Sequence, residues 1–249
     1  MYALQPLTHS PMPPVAIIAL DVPSRAEAER LLDRIGPGAD FVKVGLQLFT
    51  AEGPEVVRAM TARGCRVFLD LKLHDIPATV AHAVESAAGL GADLLTIHTS
   101  GGAAMMRAAA KARDAAGPSA PKLLGVTLLT SLTEAEAAEA WGRASVDAGA
   151  EVARLAALAE ACGLDGVVSS VHEVPTIRGA TGGGFRVLTP GIRLAGDDAG
   201  DQARVATPAE AARLGSNYVV LGRSITAAAD PAAALARALQ EMNELPVTA

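Results

Sequence analysis

The chain has 249 residues, 50% of them hydrophobic, and 21 basic against 27 acidic side chains leave a formal net charge of −6. That balance provides no basic footprint for nucleic acid, so apolar a composition excludes disorder, and no charge-free apolar run reaches the roughly 18 residues of a membrane span. Cys65 and Cys162 stand in no paired motif, which excludes a disulfide framework and a thiolate metal site and leaves both as buried packing residues.

Residues 1–14 carry no basic leader region, and Pro11, Pro13 and Pro14 oppose a helix, so they read as a short flexible tail on a cytoplasmic protein. From 15 to 249 one pattern recurs: a short run rich in Val, Ile and Leu, a polar turn, then an alanine-rich helical stretch. In chain order the expected strands are 15–21, 41–45, 66–72, 93–98, 122–128, 165–169, 186–189 and 217–222. Their nearly continuous hydrophobicity suits strands buried on both faces of a parallel sheet. Ser24 with Glu27, Thr133 with Glu136, and Thr207 with Glu210 fit capping boxes, Pro208 suits a first helical turn, and Gly64, Gly91, Gly163 and Gly215 stand where helices should stop. Eight such units in one domain predict an α/β fold, a single (β/α)8 TIM barrel. A doubly wound open sheet is the alternative, but it uses fewer units, and no G-x-G-x-x-G follows the first strand.

A barrel builds its active site from strand C-terminal ends and the loops beyond them. The polar residues stand there: Asp21, Lys43, Asp70, Lys72, Asp75, His98, Thr130, Ser131, Ser169, Ser170, the run Pro190–Arg193, and Gly222 with Arg223. The densest group is Asp70-Leu71-Lys72-Leu73-His74-Asp75-Ile76. Residues two apart on a strand share a face, so Asp70 and Lys72 should project together into the barrel mouth, where Lys43 and Asp75 would complete an array of alternating charge. A lysine held among carboxylates can deliver a proton. A salt-bridge network that merely closes the barrel top would also favour alternating charges.

A second cluster, Thr189-Pro190-Gly191-Ile192-Arg193 with Gly222-Arg223-Ser224-Ile225, occupies the loops after the last two strands, where this fold commonly binds phosphate. Gly222 lets backbone approach an oxyanion, the N–H groups of Gly222 and Arg223 can donate, and each guanidinium can pair with phosphate oxygens. Taken singly, each motif could be an ordinary turn.

On these motifs the chain resembles the orotidine 5'-phosphate decarboxylase family, type 1, from about Val15 to the final helix. D-L-K-L-H-D-I-P at Asp70 to Pro77 is similar to that family's D-x-K-x-x-D signature. Support comes from A-L-D ending at Asp21, F-V-K-V-G ending at Gly45, L-T-S ending at Ser131, P-G-I-R ending at Arg193, Asp201 with Gln202, and V-L-G-R-S-I ending at Ile225. Ala78, before Thr79, departs from the Asn usual in the family, which puts an Asn contact in doubt.

The resemblance implies decarboxylation of orotidine 5'-phosphate to UMP without cofactor or metal, the last step of de novo pyrimidine biosynthesis. It makes Lys72 the proton donor to the ring carbon, sets Asp70 near the departing carboxylate, and completes the catalytic array with Lys43 and Asp75. It further implies a homodimer with active sites at the interface, Asp75, Ile76 and Thr79 coming from the partner subunit. Asp21 and Lys43 would hold ribose hydroxyls, Thr130 or Ser131 the pyrimidine edge, and Gln202, Arg193, Gly222 and Arg223 the phosphate, with Pro190 and the run Leu71, Leu73, His74, Pro77, Ala78 lining the substrate. The stretch 195–204, rich in Gly and Asp, suits a mobile phosphate-covering loop. Neither nucleic acid nor membrane is implied as a partner.

Other residues carry plainer expectations. His74 should cap or pack, His98 and His172 should hydrogen-bond, His82 and His9 should be solvated, Glu173 should be a helix-start charge, and Trp141 should anchor the insertion 131–147 by burying its ring. Two rival functions stay open: a magnesium-dependent phosphosugar decarboxylase sharing D-x-K-x-x-D, and a non-catalytic barrel that binds phosphorylated ligands.

Overall fold

The apolar runs form strands because Val, Ile, Leu and Phe are shielded on both faces, inward by the opposite wall and outward by alanine-rich helices. A computed structural model describes residues 12–194 and 205–244. Its strands are β1 (Val15–Ala19), β2 (Phe41–Gly45), β3 (Arg66–Leu73), β4 (Leu94–His98), β5 (Lys122–Val126), β6 (Gly166–Val168), β7 (Arg186–Ile192) and β8 (Tyr218–Leu221). Each pairs in parallel with the next, and β8 closes on β1, giving the expected (β/α)8 barrel. Of the segment expected as a tail, residues 1–11 lie outside the described residues.

Two apolar layers hold the barrel. Ile17, Ala19, Phe41, Phe68, Leu94, Leu124, Val126, Val168, Leu188, Tyr218 and Val220 fill its interior, while a larger cluster lies between strands and helices. Phe68, only 1% exposed, typifies the inner layer, and burying such a side chain stabilises by about 1.5–3 kcal/mol. Arg66 stacks over Phe41, whose edge meets the Tyr218 ring, closing the bottom of the barrel.

Helix starts follow the capping pattern with one difference. Thr133 with Glu136 and Thr207 with Glu210 form reciprocal boxes, whereas at Ser24 only half forms, its hydroxyl accepting from the Glu27 N–H. Gly215 takes the left-handed conformation that ends its helix, φ 87°. Strand limits shift by one to three residues at every strand but β2, and two of these shifts bear on the barrel mouth. β1 stops at Ala19, short of Asp21, and β7 runs past the Pro190-Gly191 turn expected to end it, absorbing the pair as a register shift between Thr189 and Ile192. Gly191, at φ 77°, supplies the backbone freedom for that irregularity.

Two packing expectations fail. Trp141 caps its helix C-terminus and stays 38% exposed, so it does not bury its ring; the helix Glu134–Ala140 turns Ala137 and Ala138 inward instead. Cys65 is only half-buried, with its thiol towards the Ala39 carbonyl, while Cys162 is buried as expected.

Candidate active site

Side chains of a strand alternate, so the residue two beyond an inward one also points inward. Above Phe41 that residue is Lys43, above Phe68 it is Asp70, and above Leu94 it is Thr96: the apolar interior changes to polar side chains one pleat from the C-terminal mouth. There a cavity of about 350 Å³ opens, lined by Asp21, Lys43, Asp70, Lys72, Thr130, Ser131, Pro190, Gly191, Arg193, Gly222 and Arg223 over a floor that includes Phe68, Val126, Leu188 and Val220.

The charges form two pairs, one joining β2 to the turn after β1 and one within β3. Lys43 Nζ stands 2.7 Å from Asp21 Oδ1, and Lys72 Nζ stands 2.8 Å from Asp70 Oδ2. Lys43 and Asp70 are almost enclosed, with 11% of each side chain exposed, while Asp21 and Lys72 reach towards the opening.

Asp70 and Lys72 reach the same cavity by a route that simple alternation does not describe. Leu69 pairs with Leu95, but the next pair is Leu73 with Ile97, so three residues of β3 bulge opposite Thr96. Lys72 takes φ 51°, the one non-glycine residue in the left-handed region among those described. Such a conformation costs about 1–3 kcal/mol and persists where surrounding contacts fix it, typically at functional sites. Thr96, fully buried, supplies those contacts: its Oγ1 accepts from the Lys72 N–H at 2.9 Å and donates to Asp70 Oδ1 at 2.9 Å. Sequence reasoning missed this residue, although a hydroxyl inside Leu-Leu-Thr-Ile was its signal.

Eight further candidates stay outside the cavity of their own chain. Leu71 and Leu73 pack half-buried against the outer core. The His74 ring stands 5.3 Å from that of His98, in the packing role expected of it. Asp75, Ile76, Pro77, Ala78 and Thr79 are exposed, Asp75 accepting from the Ile76 N–H at 2.6 Å and Ile76 remaining 66% accessible. Gln202 and the rest of 195–204 lie outside the described residues.

At the phosphate-suited rim, Gly222 precedes a one-turn helix, Arg223–Thr226, and Arg193 is tied to the chain beyond by its N–H to the Ala206 carbonyl at 2.9 Å. His172 bonds to the Val205 carbonyl at 3.1 Å, and the buried Glu173 caps its own short helix by accepting from the Ser169 hydroxyl and the Ser170 N–H. Burial pushes the pKa of His98 down, helped by the His74 ring and the Lys72 ammonium and opposed by Asp70, and this net lowering favours the neutral imidazole. Among the described residues no three His, Cys, Asp or Glu side chains gather as a metal site, and no helix is long and apolar enough to cross a membrane.

Residues 14–238 match the model of the orotidine 5'-phosphate decarboxylase / HUMPS family. The chain belongs to this family. Among its relatives, the orotidine 5'-phosphate decarboxylase of Moorella thermoacetica is 52% identical over 234 residues, 92% of each chain. That of Halalkalibacterium halodurans is 51% identical over 221 residues, 88% of this chain and 94% of the other. The crystal structure of orotidine 5'-phosphate decarboxylase from Lactobacillus acidophilus superimposes with a TM-score of 0.82 at 37% identity, covering 93% of this chain and all, 100%, of that one. The orotidine 5'-phosphate decarboxylase family match thus spans all eight strands and both polar clusters of the barrel mouth.

Proposed function

We propose that the chain decarboxylates orotidine 5'-phosphate to UMP and carbon dioxide, with no cofactor, as the last step of de novo pyrimidine biosynthesis in the cytoplasm. The carrying observation is the Asp70–Lys72 pair, 2.8 Å apart on the bulged end of β3, inside a cavity whose far rim holds Arg193, Gly222 and Arg223. Breaking the bond to carbon dioxide leaves its electron pair on the ring carbon, where no cofactor can delocalise it. A fixed cation must face that carbon, and Lys72 is placed to stabilise the developing charge and then donate its proton there. Asp70 keeps the ammonium in place and stands near the departing carboxylate. Asp21 and Lys43 bind ribose hydroxyls, Thr130 or Ser131 the pyrimidine edge, and Arg193, Gly222 and Arg223, with Gln202, the phosphate. Binding this remote dianion supplies the free energy that orients the ring against Lys72.

We assign the working form to a homodimer, with residues 15–249 of each copy acting as one barrel domain. Asp75 does not line its own cavity, and Ile76 beside it is a large apolar side chain left 66% exposed, as suits a segment that enters a neighbouring copy. Asp75, Ile76 and Thr79 then complete the partner's pocket, with Leu71, Leu73, His74, Pro77 and Ala78 shaping that segment.

The deciding experiment follows the orotate absorbance of orotidine 5'-phosphate after exhaustive chelation of the purified protein. Loss of absorbance with formation of UMP is expected. Turnover restored only by magnesium would favour the phosphosugar reading, and tight UMP binding without consumption of substrate would favour a binding protein.

A further inference from the structure

The segment Asp70–Lys72 crosses the one residue Thr96 on β4, because pairing jumps from Leu69–Leu95 to Leu73–Ile97. The bulge takes the Lys72 N–H out of the regular ladder, and a buried N–H without an acceptor is costly. Thr96 Oγ1 provides that acceptor at 2.9 Å. The direction of the remaining bond is then fixed. An amide N–H can only donate, so the single hydroxyl proton of Thr96 goes to Asp70 Oδ1, also at 2.9 Å, leaving Oδ2 to the Lys72 ammonium at 2.8 Å. One hydroxyl therefore grips both ends of the acid–base pair: the backbone of the lysine, held at φ 51°, and the carboxylate that receives its side chain. Thr96 is fully buried and does not line the cavity, so it acts without touching substrate.

We infer that Thr96 is a positioning residue for the reaction, its hydroxyl setting the bulge, the Asp70 rotamer and hence the location of the Lys72 ammonium. The inference rests on the decarboxylase reading above and adds a residue to it. Valine has nearly the shape of threonine but neither accepts from Lys72 nor donates to Asp70, whereas serine keeps both capacities.

The test compares wild type, Thr96→Val and Thr96→Ser for kcat, KM for orotidine 5'-phosphate and affinity for UMP. Thr96→Val is expected to lower kcat about 10²-fold, as a displaced reacting group does, while UMP affinity stays within about threefold and Thr96→Ser keeps kcat within about threefold. A residue that only stabilises the barrel would not separate kcat from product affinity. The inference is overturned if Thr96→Val retains the wild-type kcat, if UMP affinity falls in step with kcat, or if Thr96→Ser loses as much as Thr96→Val. Should Thr96→Val fail to fold, Thr96→Ala is judged by the same criteria. A wild-type protein that leaves orotidine 5'-phosphate untouched counts against the decarboxylase reading alone. The hydroxyl's role is then decided by the crystal structure of Thr96→Val, where an opened Asp70–Lys72 pair is expected and an unchanged pair overturns the inference.

Discussion

Lys43 Nζ lies 2.8 Å from the point a Cβ on Gly45 would occupy. The missing side chain at Gly45 is what lets the ammonium fold back to Asp21. Gly45 has φ −96°, so alanine meets no backbone strain there, and its only close obstacle is the tip of a flexible chain. Gly45→Ala should keep stability within about 1 kcal/mol while weakening UMP binding roughly tenfold, the size of one lost charged hydrogen bond. Thermal denaturation and calorimetric titration with UMP measure the two effects; unaltered affinity would show that the Lys43 position is irrelevant to the nucleotide.

Lys72→Ala removes the side chain proposed as both fixed cation and proton donor. Turnover of orotidine 5'-phosphate should fall by more than about 10³-fold, with UMP binding still measurable. Turnover near wild type would sink the mechanism.

Arg223→Ala should weaken UMP binding by about tenfold or more, the range of charge-assisted hydrogen bonds, and leave uridine binding nearly unchanged. Equal losses for nucleotide and nucleoside would remove Arg223 from the phosphate site.

Mixing inactive Lys72→Ala and Asp75→Asn chains tests the shared site. If Asp75 serves the neighbouring copy, verified heterodimers recover activity, because one of their two pockets has both residues intact. No recovery would mean that each chain builds its site alone.

His98 makes stability depend on pH. Burial, then His74 and Lys72, lower its pKa below the ordinary 6.5, against the opposing pull of Asp70. Below 6.5 the unfolded chain takes up a proton that the folded one resists, so this contribution is full above that value and is lost as pH falls through the lowered folded pKa. His98→Asn should therefore flatten the decline of the melting temperature on acidification below about pH 6.5. An identical decline in the variant would assign it to other groups.

Strand positions were legible because each strand is a continuous apolar run, and the charged candidates because polar side chains at strand ends serve no packing purpose. What escaped the sequence depends on cross-strand register. The bulge at Asp70–Lys72 and the role of Thr96 arise only when β3 is laid against β4, residues 26 positions apart for the Thr96–Asp70 bond. Pro190-Gly191 carries the composition of a turn, yet its neighbours keep pairing, with β8 and with Ala206, so the strand continues. Trp141 has the size of an anchor, but it falls on the C-cap of its helix, whose buried positions are taken by Ala137 and Ala138.

The seam between β1 and β8 sets a schedule for the nascent polypeptide. Val15 faces Tyr218 across that seam, so a chain emerging from the ribosome has two open sheet edges, at β1 and at β7, until residues near the end of the barrel appear. Unpaired edges invite pairing with other chains, and contacts so distant in sequence form slowly. The four residues Tyr218–Leu221 cover both edges at once and carry Gly222 and Arg223 into place immediately behind them. Sealing of the ring and completion of the cavity rim are thus one event, and no shorter intermediate of synthesis holds a finished pocket.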